Sequence, residues 1–440
     1  MTAKVGNFDV YRYLSRKRNP RMKSIPLYIQ ILAGMVSGAL LGIFFPDGTG
    51  YIDWIGTLFM NALGMLIVPI IFFSISRSIS RIGEGRSLKR ITLKTIGLYV
   101  FTMLIAVLTG ILFVSLIHPG AGVPTSAALA SEIPETVTDT SIRDIITGFI
   151  PSNIVGALSR NNTIPVIFIA FLTGYFTNRL SSDNTSALNR FLDAGYELTM
   201  KITEWVILFA PLGIFAVVAV QFAKIGNAMD LIKGMLLYVL TVTAGLAFHT
   251  FITLPLLLRF GARVHPWKHF SNMSSPMITA FSTASSGATL PLTLEAVEKK
   301  DGVSGRIAQF TVSLGATINM NGAALLECVA VMFIAQVYGI ELSFAQMLVI
   351  TLTSVLCAIG SAGIPMSAMV MLSIILSTVG LPIEGIGLVI GVDRILDMLR
   401  TSVNVYGDTC VAVMVAKSEK EKLTIDLNID PNDHEEILQS

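Results

Sequence analysis

The stretch "GVDRILDMLRTSVNVYGDTCVAVMVAK", from Gly391 to Lys417, carries Asp393, Arg394, Asp397, Arg400 and Asp408 within otherwise apolar sequence. At about 100° per residue, Asp393, Asp397, Arg400, Thr401, Asn404 and Asp408 share a helical arc of roughly 100°, with Arg394 at its edge. The opposite arc holds Ile395, Leu396, Leu399, Val403 and Val405. Arg400 offers a planar fork that matches a carboxylate with two hydrogen bonds. Asp397 can hold an ammonium group, and Asp408, one turn beyond Asn404, can join it in ligating a cation. The competing reading is a structural ion-pair network of Asp393, Asp397 and Arg400. A network alone leaves Thr401, Asn404 and Asp408 on the same face unexplained, and ionisable groups at membrane depth mark functional sites by default.

Two further features carry chemistry. Glu327 is the one charged side chain between Arg306 and Glu341. An apolar setting disfavours the ionised carboxyl, which suits carriage of a proton. A neutral carboxylic acid bonded between helices fits its position equally well. Upstream, "GATINMNGAALLE" places Asn319 and Asn321 around Met320, bracketed by Gly315 and Gly322. This is a poor helix for a lipid setting. Local unwinding there frees carbonyls, hard oxygen ligands suited to small cations.

The elements that position these groups are membrane elements. The chain has 440 residues, 53% hydrophobic and 14% charged, with a mean hydropathy of +0.70. Soluble domains carry about 25% charged residues. The net charge of +2 comes with no basic or aromatic pattern for a nucleic-acid partner. Cys328, Cys357 and Cys410 lie in apolar segments, with no metal-ligand spacing and no disulfide framework. The N-terminal basic cluster leads into a full-length span rather than a cleavable signal peptide.

Six spans of about 20 apolar residues are expected at Leu27–Phe45, Trp54–Ser76, Thr95–Ile117, Asn161–Asn178, Trp205–Ala223 (its helix starting near Leu188) and Gly234–Leu258. Basic residues place both the N-terminus (Arg12, Arg16, Lys17, Arg18, Arg21, Lys23) and the connection holding Arg77, Arg81, Arg86, Lys89, Arg90 and Lys94 in the cytoplasm. Arg259, Arg263 and Lys268 fall on the same side. The connection near His118–Asp144 has Glu132, Glu135, Asp139 and Asp144 against Arg143 and belongs outside. Phe270–Leu294 and Leu342–Ile383 are uncharged, with small-polar centres "SNMSSPMITAFSTASSGATLPLT" and "AIGSAGIPMSA". Each reads as two short helices meeting at a Ser/Gly/Pro tip, a re-entrant hairpin, or else as an ordinary kinked span. The order hairpin, broken span, hairpin, charged span resembles two repeats of one plan.

From Ile25 to Lys417 the chain resembles the dicarboxylate/amino acid:cation symporters, the family of animal glutamate transporters and archaeal aspartate transporters. The motifs "SSGATLP", "GATINMNGAAL", "IGSAGIP" and "DRILDMLRTSVNVYGD" occur in that family's order and spacing. The resemblance implies an all-α membrane protein of eight transmembrane helices plus two re-entrant helical hairpins, with inverted repeats and an elevator movement. It implies a prokaryotic homotrimer in the cell inner membrane, with both termini cytoplasmic. Residues 1–24 would be a cytoplasmic segment and 25–90 scaffold and trimerisation elements. Span three, at 91–118, belongs to the transport domain, 119–225 returns to scaffold, 226–417 completes the transport domain, and 418–440 is a cytoplasmic tail.

By the same resemblance, Asp397 holds the substrate amino group, Arg400 the side-chain carboxylate, and Thr401 and Asn404 make further substrate contacts. Ser285, Ser286, Met320, Ala323, Gly363 and Ile364 complete the substrate set. One sodium site maps to Gly315, Asn319, Asn404 and Asp408. A second maps to Thr317, Met320, Ala358, Ile359 and Ser361, and Glu327 aligns with a proton carrier. The implied function is symport of glutamate or aspartate with Na+, H+ or both, without a resident cofactor, in contact with membrane lipid.

Three departures from the family pattern matter. Asn321 replaces an aspartate that helps hold a third sodium with Tyr99, Thr102 and the residue at Met103, where the family commonly has a hydroxyl. Ala323 replaces a threonine near the substrate side chain. Ala284 stands where archaeal relatives carry an arginine, a role Arg394 is placed to assume. Fewer than three sodium sites are expected. The alternatives are symport of neutral amino acids or dicarboxylates on the same fold and, more remotely, a channel or an intramembrane protease. Against the protease, no Gly-x-Gly-Asp or His-Glu-x-x-His motif is present.

Overall fold

The computed structural model describes residues 27–80, 86–121, 123, 150–159, 163–224, 228–360 and 367–427. The N-terminal basic cluster through Lys23, the acidic connection from Glu132 to Asp144, and Ser361, Gly363 and Ile364 lie outside the described residues. Among those described, the regular elements are helical apart from one isolated bridge, Val264 to Asp426.

Helix α1, Leu27–Phe44, packs along its length against α8, Ala210–Lys224. The contact depends on Gly34, Gly38 and Gly42. A Cβ added at these positions would lie 2.4, 2.4 and 2.3 Å from the carbonyl oxygens of Pro211, Phe215 and Ala219. Small residues four apart let backbones approach where lipid offers no hydrophobic drive for association. Helices α2, Asp53–Gly64, and α3, Ile67–Ser80, form one span over Asp53–Arg77. After α4, Arg86–Ile117, and the short α5, Ile154–Ser159, helix α6, Thr163–Thr177, packs on α3. There the Ser76 hydroxyl donates to the Ala170 carbonyl at 2.9 Å. Helix α7, Ser182–Ile207, bends by 59° into α8. Pro211 has no N–H to return to the Ile207 carbonyl, so the helix cannot run straight through.

Helix α9, Ala228–Phe248, continues through two π-helical stretches, His249–Thr253 and Leu257–Ala262, around Leu254–Leu256. Pro255, between them, withholds another backbone donor. Then follow α10, Pro266–Asn272, α11, Ser274–Thr283, and α12, Ser286–Lys299. Between α11 and α12 the chain turns through Ala284, left-handed at φ 49°, and Ser285, whose hydroxyl accepts the Ala288 N–H at 3.2 Å. Helices α13, Gly305–Ile318, and α14, Asn321–Val337, are separated by Asn319 and Met320. Helices α15, Phe344–Gly360, and α16, Ser367–Val379, pack on each other, and α17, Asp393–Ser418, closes the helical part.

Packing divides these helices into two groups. α1, α2, α3, α6, α7 and α8 form one set; α4, α9 and α11 to α17 form the other, with α15 also packed on α3 and α16 on α2, α3 and α6. The second set is built around α14: in the span Gly305–Val337, 94% of the most apolar window is buried. On the periphery Leu32, Val36 and Leu40 of α1 and Leu108, Leu112 and Leu116 of α4 are exposed. Such apolar surface belongs in hydrocarbon.

Among the described residues, four helices are long and apolar enough to cross a membrane, or five if the bent α7–α8 pair is one span. The chain is therefore a multi-pass membrane protein. Shorter apolar helices lie at Ile29–Phe44, Pro165–Thr177, Phe344–Ile359 and Ala368–Val379. The expected spans at Leu27–Phe45 and Asn161–Asn178 correspond to α1, Leu27–Phe44, and α6, Thr163–Thr177.

Candidate functional site

The α13–α14 break and the middle of α17 meet in the second packing group. On α17, Arg400, Thr401, Asn404 and Asp408 are at most 5% exposed. The Arg400 Nε donates to Asp397 Oδ1 at 2.9 Å, and the Thr401 hydroxyl donates to the Asp397 carbonyl at 2.7 Å. Arg394 is half exposed, with its Nη1 3.5 Å from Asp397 Oδ2. The expected network and the expected ligand face thus share Asp397 and Arg400, with Arg394 beside them. The apolar arc behaves less simply: Ile395 is exposed, whereas Leu396, Val403 and Val405 are buried. From Val403 to Ala416 this helix is enclosed on every side.

The break supplies oxygen-rich chemistry beside that stripe. Asn319 donates its Nδ2 to Asp408 Oδ1 at 2.9 Å, and its Oδ1 lies 3.4 Å from the Thr102 hydroxyl of α4. A Cβ on Gly315 would fall 2.5 Å from Asp408 Oδ1 and 2.6 Å from the Tyr99 hydroxyl. Only glycine leaves this space open to a carboxylate and a phenol at once. Among the described residues no salt bridge neutralises Asp408. The Asn404 Oδ1 accepts the Gly322 N–H at 2.7 Å, capping α14 from a second helix. The Asn404 Nδ2 faces the Met320 sulfur at 3.2 Å. Asn321 is fully buried, and neither amide atom has a hydrogen-bond partner among the described residues. Met103 is buried as well.

Other expected site residues are less closely tied. Ser285 and the buried Ser286 start α12, which packs on α17. Ala323 is buried in the first turn of α14. Thr317 is exposed and its hydroxyl bonds its own helix at Leu314. Ala358 is buried, Ile359 is partly so, and their helix α15 touches α13.

Glu327 is fully buried, and neither carboxyl oxygen has a hydrogen-bond partner among the described residues. It lines a cavity of about 10 Å³ together with Tyr238, Ala330, Met369 and Asp393, at the lower limit for one water molecule. The sequence reading placed Asp393 on the stripe of α17 but not beside Glu327. The two are far apart in the chain, and helical phase relates residues of one helix only. The cap from Asn404 to Gly322 was also missed; the glycine that ends "NMNG" was its one signal.

The sequence model of the sodium:dicarboxylate symporter family matches residues 27–418. Among curated proteins, the chain is 31% identical to an excitatory amino acid transporter of Caenorhabditis elegans, over 90% of this chain and 88% of that protein. It is 32% identical to the proton/glutamate-aspartate symporter of Escherichia coli, over 90% and 94% of the two chains. It is 30% identical to the proton/sodium-glutamate symport protein of Bacillus caldotenax, over 90% and 96%. With this coverage added to the broken helix and the buried charged stripe, the chain belongs to the sodium:dicarboxylate symporter family.

Proposed function

We propose that this protein is a secondary active symporter of acidic amino acids, glutamate or aspartate, driven by Na+, H+ or both. The observation that carries the reading is the ion pair of the buried Arg400 with the partly exposed Asp397, on the helix that packs against α13 and α14. An α-amino acid with a second carboxylate offers Asp397 an ammonium and Arg400 a carboxylate, so the substrate can replace the pair's internal bond with two of its own. Thr401 and Asn404 contribute further polar contacts, with Ser285, Ser286, Met320, Ala323, Gly363 and Ile364 around them. The names of relatives that carry glutamate and aspartate support the same substrate class.

Sodium would be held by Gly315, Asn319, Asn404 and Asp408, and a second ion by Thr317, Met320, Ala358, Ile359 and Ser361. Asn321 and Met103 remove the anionic and hydroxyl ligands that a third site would need, leaving fewer than three. Glu327 is the proton carrier. Arg394 takes the place of the hairpin arginine that Ala284 lacks.

The architecture that fits this work has eight spans and two re-entrant hairpins, α11–α12 and α15–α16. The α1–α3 and α6–α8 group is a scaffold that holds a homotrimer, and the second group moves as an elevator. Both ends face the cytoplasm of the cell membrane.

Purified protein in proteoliposomes is expected to accumulate labelled aspartate or glutamate under an inward sodium or proton gradient. Accumulation of alanine or serine in preference to both would overturn the acidic-substrate reading. Glu327→Gln is expected to abolish the response to the pH gradient; an unchanged response would remove Glu327 from proton coupling.

A further inference from the structure

A second buried polar cluster lies outside the proposed substrate and cation sites. His269 of α10 and Asp301, just beyond α12, are both fully buried, with the His269 Nδ1 2.6 Å from Asp301 Oδ2. On its other side the His269 Nε2 lies 3.1 Å from the Thr409 hydroxyl of α17. Asn272 donates to the second Asp301 oxygen at 2.7 Å. The Cys410 sulfur lies 3.6 Å from the same Nε2, and the Tyr406 ring packs beside the imidazole.

This cluster joins three parts of the chain. The Asp301 carbonyl accepts the Thr424 N–H at 3.0 Å. Lys268, next to His269, donates to the Thr424 carbonyl at 2.5 Å. The His265 N–H bonds the Ile425 carbonyl at 2.8 Å. Leu423 and Ile425 are fully buried, so the segment after α17 closes over the His–Asp pair and excludes water. A hydrogen-bonded polar pair so enclosed is poorly suited to adding stability. Desolvation offsets its attraction, and the better-attested use of buried polar groups is to specify register.

The register at issue is that of α17. Thr409 follows Asp408 directly. Its hydroxyl donates to the Tyr406 carbonyl at 2.8 Å, and its oxygen faces His269 Nε2 at 3.1 Å, whose N–H it accepts when that nitrogen carries the proton, so the hydroxyl is held from two directions. Fixing Thr409 fixes the rotation of α17 about its axis, and with it the aim of Asp408 toward Asn319 and Gly315.

We infer that His269 is a positioning residue for the cation site. Held by Asp301, it grips Thr409 and so sets where the Asp408 carboxylate points. The inference rests on the reading of Asp408 as a sodium ligand. Groups that orient a metal-binding side chain typically affect affinity by roughly 10- to 100-fold when lost.

The test is sodium-dependent uptake in proteoliposomes of the full chain, for wild type, His269→Phe, Thr409→Val, Thr409→Ser and the double variant His269→Phe/Thr409→Val. His269→Phe and Thr409→Val are each expected to raise the half-saturating sodium concentration by roughly tenfold, with maximal rate at saturating sodium within about twofold. Thr409→Ser keeps the hydroxyl and should restore wild-type sodium dependence. The double variant should shift no further than the larger single variant, because both remove one interaction. An unshifted Thr409→Val, a Thr409→Ser that shifts equally, or a double variant whose shift is the product of the singles would overturn the inference. Should His269→Phe fail to fold, the Thr409→Val and Thr409→Ser pair decides alone. A wild type indifferent to sodium would overturn the sodium reading and this inference together. A sodium-dependent wild type with unshifted variants would overturn this inference only.

Discussion

Asp397 and Arg400 stand one turn apart, and each is the other's counter-ion at 2.9 Å. On the proposed function, that arrangement keeps the site from holding two uncompensated charges before the substrate arrives. It also makes Arg400 hard to replace. Lysine keeps the charge but loses the planar fork and the Nε bond to Asp397. Arg400→Lys is expected to weaken acidic-substrate binding by about 10- to 100-fold, the range of one lost charged hydrogen bond, while alanine binding changes little. Equilibrium binding of aspartate and alanine to both proteins checks this; equal losses for the two ligands would mean that Arg400 supports the fold rather than the side-chain carboxylate. At this scale the sequence was informative, because a 3.6-residue period maps Asp397, Arg400, Thr401, Asn404 and Asp408 onto one face without further knowledge. It was silent on Glu327 and Asp393 sharing a cavity, since no local rule relates residues on different helices.

Among the elements, the broken helix was legible because Asn-Met-Asn-Gly is a poor continuation of α13, and the structure breaks at Asn319 and Met320. The turn between α11 and α12 was legible only as a small-polar region. Its left-handed residue is Ala284, a type that carries no turn signal of its own. The bounds of the first helix were read closely: the apolar run Leu27–Phe45 gives the helix Leu27–Phe44, which ends just before Pro46. The α1–α8 seam gives an element-scale prediction. Gly38→Leu places a side chain against the Phe215 carbonyl, where even a Cβ would sit at 2.4 Å. A loss of about 2–3 kcal/mol is expected from forced separation of the helices, read as a lower unfolding temperature in detergent. Val36→Leu, on the exposed face of the same helix, is the matched control and should leave it unchanged.

Across the whole molecule, the segment after α17 ties distant elements together. Glu419 pairs with Lys94 at 2.6 Å and with Arg90, both near the start of α4. Lys417 pairs with Asp426 at 2.8 Å. The Lys94 hydrogen bond, with help from Arg90, holds the Glu419 carboxyl below its ordinary range. A carboxyl lowered in the folded state contributes attachment that is complete above its ordinary value and lost as pH falls through the lowered one. Glu419→Gln is therefore expected to speed amide exchange over residues 419–427 at neutral pH. Wild type should show that loosening only in acid; identical exchange in the two proteins at neutral pH would refute the tie. None of this long-range bracing was visible in the sequence, where the tail reads as an ordinary charged end.

The π-helical stretches of α9 bear on how that span can be compared with others. Each packs more residues into a turn than an α-helix does, so the face presented by a side chain after His249 is rotated from where a uniform 3.6-residue count would put it. Phase inferred from the first half of the helix does not carry into the second. A one-residue gap in an alignment within 249–262 can then mark the unwinding of a wide turn into an ordinary one, with both ends of the span left in place, rather than a shortened crossing.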